Sequence, residues 1–245
     1  MTRPTIIFDL DGTLADSARD LVATLNVVLA IEEVAPASLE QTRDLIGVGA
    51  RPLIERGFAL QGRKLDETRL DELYAIFLDH YHANLANETV LFDGALAALD
   101  RFARDGWLLG VCTNKLAAHA STLLRALGAH DRFAAIAGKD SFAFFKPDPR
   151  HLLATIEQAG GDPARAVMVG DSKTDIDTAR AAKTPVVAVS FGYTQVPVRD
   201  LAPDLVIDHF DELWDAAQSL PPFPSLTRAP RADAARPGPQ IPLQP

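Results

Sequence analysis

Phe8-Asp9-Leu10-Asp11-Gly12-Thr13 is the stretch whose reading decides the rest of the chain. The apolar run before it, Thr5-Ile6-Ile7-Phe8, reads as a buried strand. Two carboxylates follow, two residues apart. On an extended strand they share a face, but a chain that turns as the strand stops can aim one side chain and the other's carbonyl at one point. Gly12 supplies permissive backbone for that turn, and Asp16-Ser17 reads as the N-cap of a following helix. Two acidic groups at the carboxyl end of a strand suit a hard divalent cation and a nucleophile that forms an acyl phosphate. The plainer alternative is a strand closed by an Asp/Gly turn that satisfies its own backbone.

Downstream of this stretch, Leu21, Val22, Leu25, Val28 and Leu29 recur at helical spacing, and further helices read over 51–60 and 66–85, with Ser38 capping a short one before them. Residues 17–88 therefore read as an all-helical block. The texture then changes to alternation. Helices are expected at 95–104, 115–127, 151–159 and 175–182, and strands at 107–112, 133–137, 167–169 and 186–189. Strands alternating with helices through short links predict a doubly wound, parallel, Rossmann-like α/β sheet, with the first strand inside it and the helical block inserted. The expected division is a catalytic core of residues 1–16 and 89–218, a helical cap of 17–88, and a Pro-rich, disordered tail of 219–245. Eight of the 17 prolines lie between Pro221 and Pro245.

Composition narrows the partners. The chain has 245 residues and a formal net charge of −9, which argues against nucleic acid or an anionic membrane as its main partner. Cys112 is the single cysteine, so no internal disulfide can form, and its expected role is a small buried residue closing a strand. There is neither an apolar run long enough for a membrane span nor a signal-peptide pattern, so a cytoplasmic location is expected. Oligomeric state is left open by these features.

Polar groups stand just beyond the strands of the alternating half: Thr113-Asn114, then Lys146-Pro147, then Gly170-Asp171-Ser172 with Asp175. In an open parallel sheet, such strand ends line one crevice. The order D-x-D-G-T, Thr-Asn, Lys-Pro, G-D-S-x-x-D resembles the four motifs of the haloacid dehalogenase (HAD) superfamily of phosphatases, and the helical insertion resembles that superfamily's small cap. Leu45 to Ile54, together with Gly192-Tyr193 and Pro203-Asp204, is similar to the bacterial phosphoglycolate phosphatases within it.

The resemblance implies roles. Asp9 is the expected nucleophile and Asp11 the acid and base. Thr113 and Asn114 are expected to hold phosphoryl oxygens, and Lys146 to neutralise developing charge. Mg²⁺ is the expected cofactor, on the Asp9 and Asp171 carboxylates and the Asp11 carbonyl, with Asp175 behind them. Gly47 and Gly49 allow close approach of a small phosphate monoester, and Arg51 is the expected partner of a 2-phosphoglycolate carboxylate. Readings still open at this level are a sugar-phosphate mutase, a small pyrophosphatase and a non-catalytic phosphate- or protein-binding module.

Overall fold

The computed structural model describes residues 2–42, 46, 49–194 and 196–223. Its centre is β1 (Thr5–Phe8), four residues with both faces buried, as an apolar run sandwiched between helix layers must be. On one side β1 pairs with β4 (Leu108–Cys112), which pairs with β5 (Ala135–Ala137). On the other side it pairs with β6 (Ala166–Gly170), followed by β7 (Val186–Val189) and β8 (Leu205–Ile207). All five pairings are parallel, giving the order β5-β4-β1-β6-β7-β8. The chain steps outward from β1 in both directions, so the carboxyl end of β1 is the switch point where such sheets open a crevice.

Two-residue strands β2 (Ala15–Asp16) and β3 (Val90–Leu91) pair antiparallel away from this sheet. Between them lie α1 (Ala18–Ile31), α2 (Leu39–Thr42), α3 (Ala50–Ala59) and α4 (Glu67–Asn84). Asp66 caps α4 by accepting from the Arg69 N–H at 2.8 Å, and Leu70, Leu73, Phe77 and Tyr81 form its buried stripe. Ser38 and Gln41 cap α2 reciprocally, side chain to backbone in both directions. The core's outer layers are α5 (Ala95–Arg104), α6 (Ala117–Ala126), α7 (Pro149–Gln158), α8 (Lys173–Ala182) and α9 (Leu213–Ser219).

Several expectations shift by a physical cause. Ser17 precedes α1 without capping it, because its hydroxyl donates to Asp11 Oδ1 at 2.6 Å instead. Helix α6 begins two residues later than its periodicity suggests: Asp140 accepts from the Ala117 N–H at 2.8 Å, which sets the helix start there and leaves Lys115 outside. The strand expected at 133–137 forms only over Ala135–Ala137, since His130–Arg132 make a turn of 3₁₀-helix before it. The chain also stays on the core past 218. Leu220 and Phe223 are buried, Phe223 with its ring 4.6 Å from that of Trp107. The remainder of the Pro-rich tail, and Gly47 in the insert, lie outside the described residues. Cys112 is fully buried at the end of β4. No helix among the described residues is long and apolar enough to cross a membrane.

Candidate active site

Because β1 is flanked by β4 and β6, the residues that follow these three strands meet at one point. Asp9 leaves β1 with its N–H bonded to the Val169 carbonyl at 2.9 Å, which holds its side chain over the strand ends. The next residues double back: Leu14 and Ala15 both donate to the Leu10 carbonyl at 2.9 Å. Gly12 makes this possible at φ +84°, and a Cβ there would stand 2.4 Å from Asp171 Oδ2. Gly192 has the same steric reason to be glycine, since its Cβ would meet the Asp171 Cβ at 2.2 Å.

Lys146 is the cation at the floor. Its ammonium stands 3.0 Å from Asp9 Oδ1 and 2.6 Å from Asp175 Oδ1, with the residue only 2% exposed. Burial alone would lower its pKa, but the Asp175 and Asp9 carboxylates outweigh that and hold it above the usual lysine value. Asp175 is saturated. Its other oxygen accepts from the Asp171 N–H, the Ser172 N–H and the Ser172 hydroxyl, so it closes the Ser172 capping box on α8 and fixes Lys146 together. Asp171 accepts from the Thr13 hydroxyl at 2.9 Å and the Tyr193 N–H at 2.7 Å.

Asp9, Asp171 and Asp175 each offer a buried carboxylate oxygen within 4.8 Å of the others. Burial pushes Asp9 up to about 6, against the pull of Lys146, and raises Asp171 well above the carboxylate range, with Asp175 and Asp9 adding repulsion. Four formal charges from three carboxylates and one ammonium leave an excess negative charge on groups that are all buried. Buried hard oxygen donors with uncompensated negative charge fit a divalent cation. Asp175 is taken by Lys146 on one oxygen and by three donors on the other, so Asp9 and Asp171, which carry fewer bonds, are the carboxylates better able to hold it.

Asp11 lies across the opening. Both its oxygens accept from the Lys115 ammonium at 2.9 Å, and Lys115 also donates to the Tyr81 hydroxyl at 2.7 Å. Thr113 accepts from the Lys115 N–H at 3.2 Å through its hydroxyl oxygen, leaving the O–H proton to point elsewhere. The Asn114 amide donates to the Lys146 carbonyl at 3.1 Å, so it ties two of the strand-end loops together. Above them a cleft is walled on the insert side by Leu21, Ile46, Leu53, Tyr74 and Phe77 and on the core side by Asp9, Asp11, Thr113 and Asn114.

Gly49 lines the same cleft at φ +108°, a conformation that calls for glycine. Arg51 lines it too, but its guanidinium is bonded to Asp71 and, at 2.6 Å, to Glu67. The structure thus shows Arg51 bridging α3 to α4 rather than presenting a free cation. Lys115 and Tyr81 are the residues that motif reading passed over as site residues. A signal existed for Lys115: a cation in the first turn of a helix opposes the helix dipole, so its place at the expected start of α6 called for another partner.

A sequence model described as haloacid dehalogenase-like hydrolase matches residues 6–189. The chain belongs to this family. Within the family, it is 53% identical over 213 residues to a phosphoglycolate phosphatase of Mesorhizobium japonicum, covering 87% of this chain and 94% of the relative. It is 48% identical to one from Agrobacterium fabrum, covering 87% and 91%. A crystal structure from Haemophilus somnus, described as a predicted phosphoglycolate phosphatase, superposes with a TM-score of 0.82 at 30% identity, over 89% of this chain and 99% of that one. The α/β core and its hydrolase character follow from this membership.

Proposed function

We propose that the protein is a Mg²⁺-dependent phosphatase that hydrolyses 2-phosphoglycolate to glycolate and phosphate through an aspartyl phosphate. The observation that carries this reading is the opposed pair of carboxylates: Asp9 bound to Lys146 at the floor, Asp11 facing the cleft. The names of the relatives at 53% and 48% identity support the substrate.

An Asp9 oxygen attacks phosphorus while the bond to the ester oxygen breaks, and the departing alkoxide takes a proton from Asp11. Asp11, now a carboxylate, takes a proton from water as that oxygen attacks phosphorus, and the bond from Asp9 to phosphorus breaks. The Thr113 hydroxyl donates a hydrogen bond to a phosphoryl oxygen. Lys146 offsets the repulsion between Asp9 and an anionic substrate. Asp9, Asp171 and the Asp11 carbonyl would hold Mg²⁺, which supplies charge neutralisation to the phosphoryl oxygens. The apolar wall of the insert excludes water once the cleft is filled.

Phosphate release from a panel tests the substrate. With Mg²⁺ present, kcat/KM for 2-phosphoglycolate is expected to exceed that for β-glucose 1-phosphate, phosphonoacetaldehyde and pyrophosphate by ~100-fold, about 2.7 kcal/mol of transition-state discrimination. A profile led by another compound would discard 2-phosphoglycolate while keeping the aspartyl-phosphate chemistry.

The carboxylate cluster makes a second, independent prediction about the cation. Asp9 and Asp171 are raised, so without metal the folded protein keeps protons that the unfolded chain gives up. Stability is therefore lost as pH rises from 3.8, the unfolded value, through about 6. A divalent cation cancels that loss. The gain in melting temperature on replacing EDTA by Mg²⁺ is expected to be small near roughly pH 5 and to grow as pH passes about 6. A gain that does not change with pH would mean the cation is held elsewhere.

A further inference from the structure

Lys115 follows Thr113 and Asn114 in the turn after β4, and its side chain is only 5% exposed. Its ammonium has three donors and three acceptors: two Asp11 oxygens and the Tyr81 hydroxyl. It also lies over the Tyr81 ring, 4.5 Å from the centroid. Burial opposes its charge, but Asp11 and Tyr81 outweigh burial and keep it protonated. Asp11 Oδ1 accepts from Ser17 as well. The proposed acid and base is therefore held on both oxygens by a buried cation, an arrangement that must loosen before Asp11 can carry a proton.

Among the described residues, the other cations in and beside the cleft are committed. Arg51 is bonded to Glu67 and Asp71, Lys146 to Asp9 and Asp175, and Lys139 lies over the Phe145 ring, 4.5 Å from its centroid. Burial and Lys115 lower His119 to about 4, so it is neutral at physiological pH. Stereochemistry singles out the position next to Asp11. In 2-phosphoglycolate one methylene separates the carboxylate from the ester oxygen, and that oxygen must approach Asp11 to receive its proton. A group that reads the carboxylate must then stand beside Asp11, and Lys115 does, at 2.9 Å.

We propose that Lys115 is the specificity-determining residue, exchanging the Asp11 carboxylate for the carboxylate of the substrate. This rests on the phosphoglycolate reading. The ammonium trades one carboxylate for another, so little desolvation is added by the exchange. Asp11 keeps its bond from Ser17 and is released for proton transfer. An ester lacking the carboxylate leaves Asp11 under Lys115 and turns over slowly even when its phosphate is well seated. Selectivity thereby enters through kcat as well as KM.

The test compares kcat and KM for 2-phosphoglycolate and 2-hydroxyethyl phosphate, which has a hydroxymethyl group in place of the carboxylate. Wild type, Lys115→Met, Lys115→Gln, Lys115→Arg and Arg51→Ala are measured side by side. Wild type is expected to favour 2-phosphoglycolate. The preference should collapse by ~30-fold or more in Lys115→Met, mainly through the carboxylate ester, and stay within ~10-fold of wild type in Lys115→Arg. Lys115→Gln keeps a donor for Asp11 and so decides the matter if the methionine variant does not fold. Equal losses on both esters, or a collapse in Arg51→Ala with the preference kept in Lys115→Gln, would overturn the assignment. A wild type without preference would reject the phosphoglycolate reading itself, and this inference with it.

Discussion

Asp9→Asn is expected to lower turnover by ~10⁴-fold or more and, in metal-free buffer near neutral pH, to raise the melting temperature. Asparagine keeps the shape of the side chain but cannot form a phosphate anhydride, so the first covalent step is lost rather than slowed. The gain in stability follows from where Asp9 sits. It is 4% exposed, and burial lifts it from 3.8 to about 6 in spite of Lys146. A carboxylate raised by about two units costs up to roughly 3 kcal/mol of stability above its folded pKa, at 1.36 kcal/mol per unit. Asparagine removes that cost, while Lys146 keeps Asp175 as partner. Phosphate release and thermal melting in EDTA check both halves. Residual turnover above a per cent of wild type would remove Asp9 from the nucleophile's role.

Lys146→Met should do the opposite to stability. Its ammonium is the shared partner of Asp9 and Asp175, and removing it leaves two buried carboxylates facing each other across the space it filled. Breaking a buried pair from one side costs about 3–5 kcal/mol. At roughly 2–4 °C per kcal/mol for a chain of this size, the melting temperature should drop by roughly 6–20 °C. Turnover should fall by about 10²–10³-fold at temperatures where the variant is still folded, because the ammonium paired with the nucleophile is lost. Adding Asp175→Asn to Lys146→Met is expected to restore part of the stability and none of the activity, which separates the two roles of the lysine. A single variant that melts within a degree or two of the parent would show that water already reaches this cluster.

What could be read from the chain was whatever is local. Three apolar residues and Thr5 ahead of Asp9 are enough for a strand, and Thr113 and Asp171 each follow a strand whose residues are plain in the pattern, with Lys146 before the helix after β5. The parallel sheet then brings them together by topology alone. What could not be read depends on partners distant in sequence. Arg51 is held by residues 16 and 20 positions away on another helix, and Lys115 is drawn to Asp11 and Tyr81, 104 and 34 positions away. Ser17 satisfies every local rule for an N-cap and is recruited by Asp11 instead. Strands β2 and β3 have two residues each, too few for any period to show. Strand β8 was hidden among polar neighbours, and Leu220 and Phe223 are isolated apolar residues in a proline-rich context that are buried only in the fold, Phe223 against Trp107.

The β2–β3 pairing carries a further consequence. Ala15 lies opposite Leu91 and Asp16 opposite Val90, and the Phe92 N–H donates to the Leu14 carbonyl at 3.0 Å. Facing residues in such a pair stand only about 5 Å apart. The polypeptide therefore departs toward α1 and comes home from α4 through a single doorway. Seen from the sheet, the intervening helices subtend no distance: they form a closed excursion, and excursions of other lengths could be spliced at the same doorway without disturbing any strand register. The catalytic floor, Lys115 included, and the apolar wall that the insert lays over it are thus separable units of inheritance.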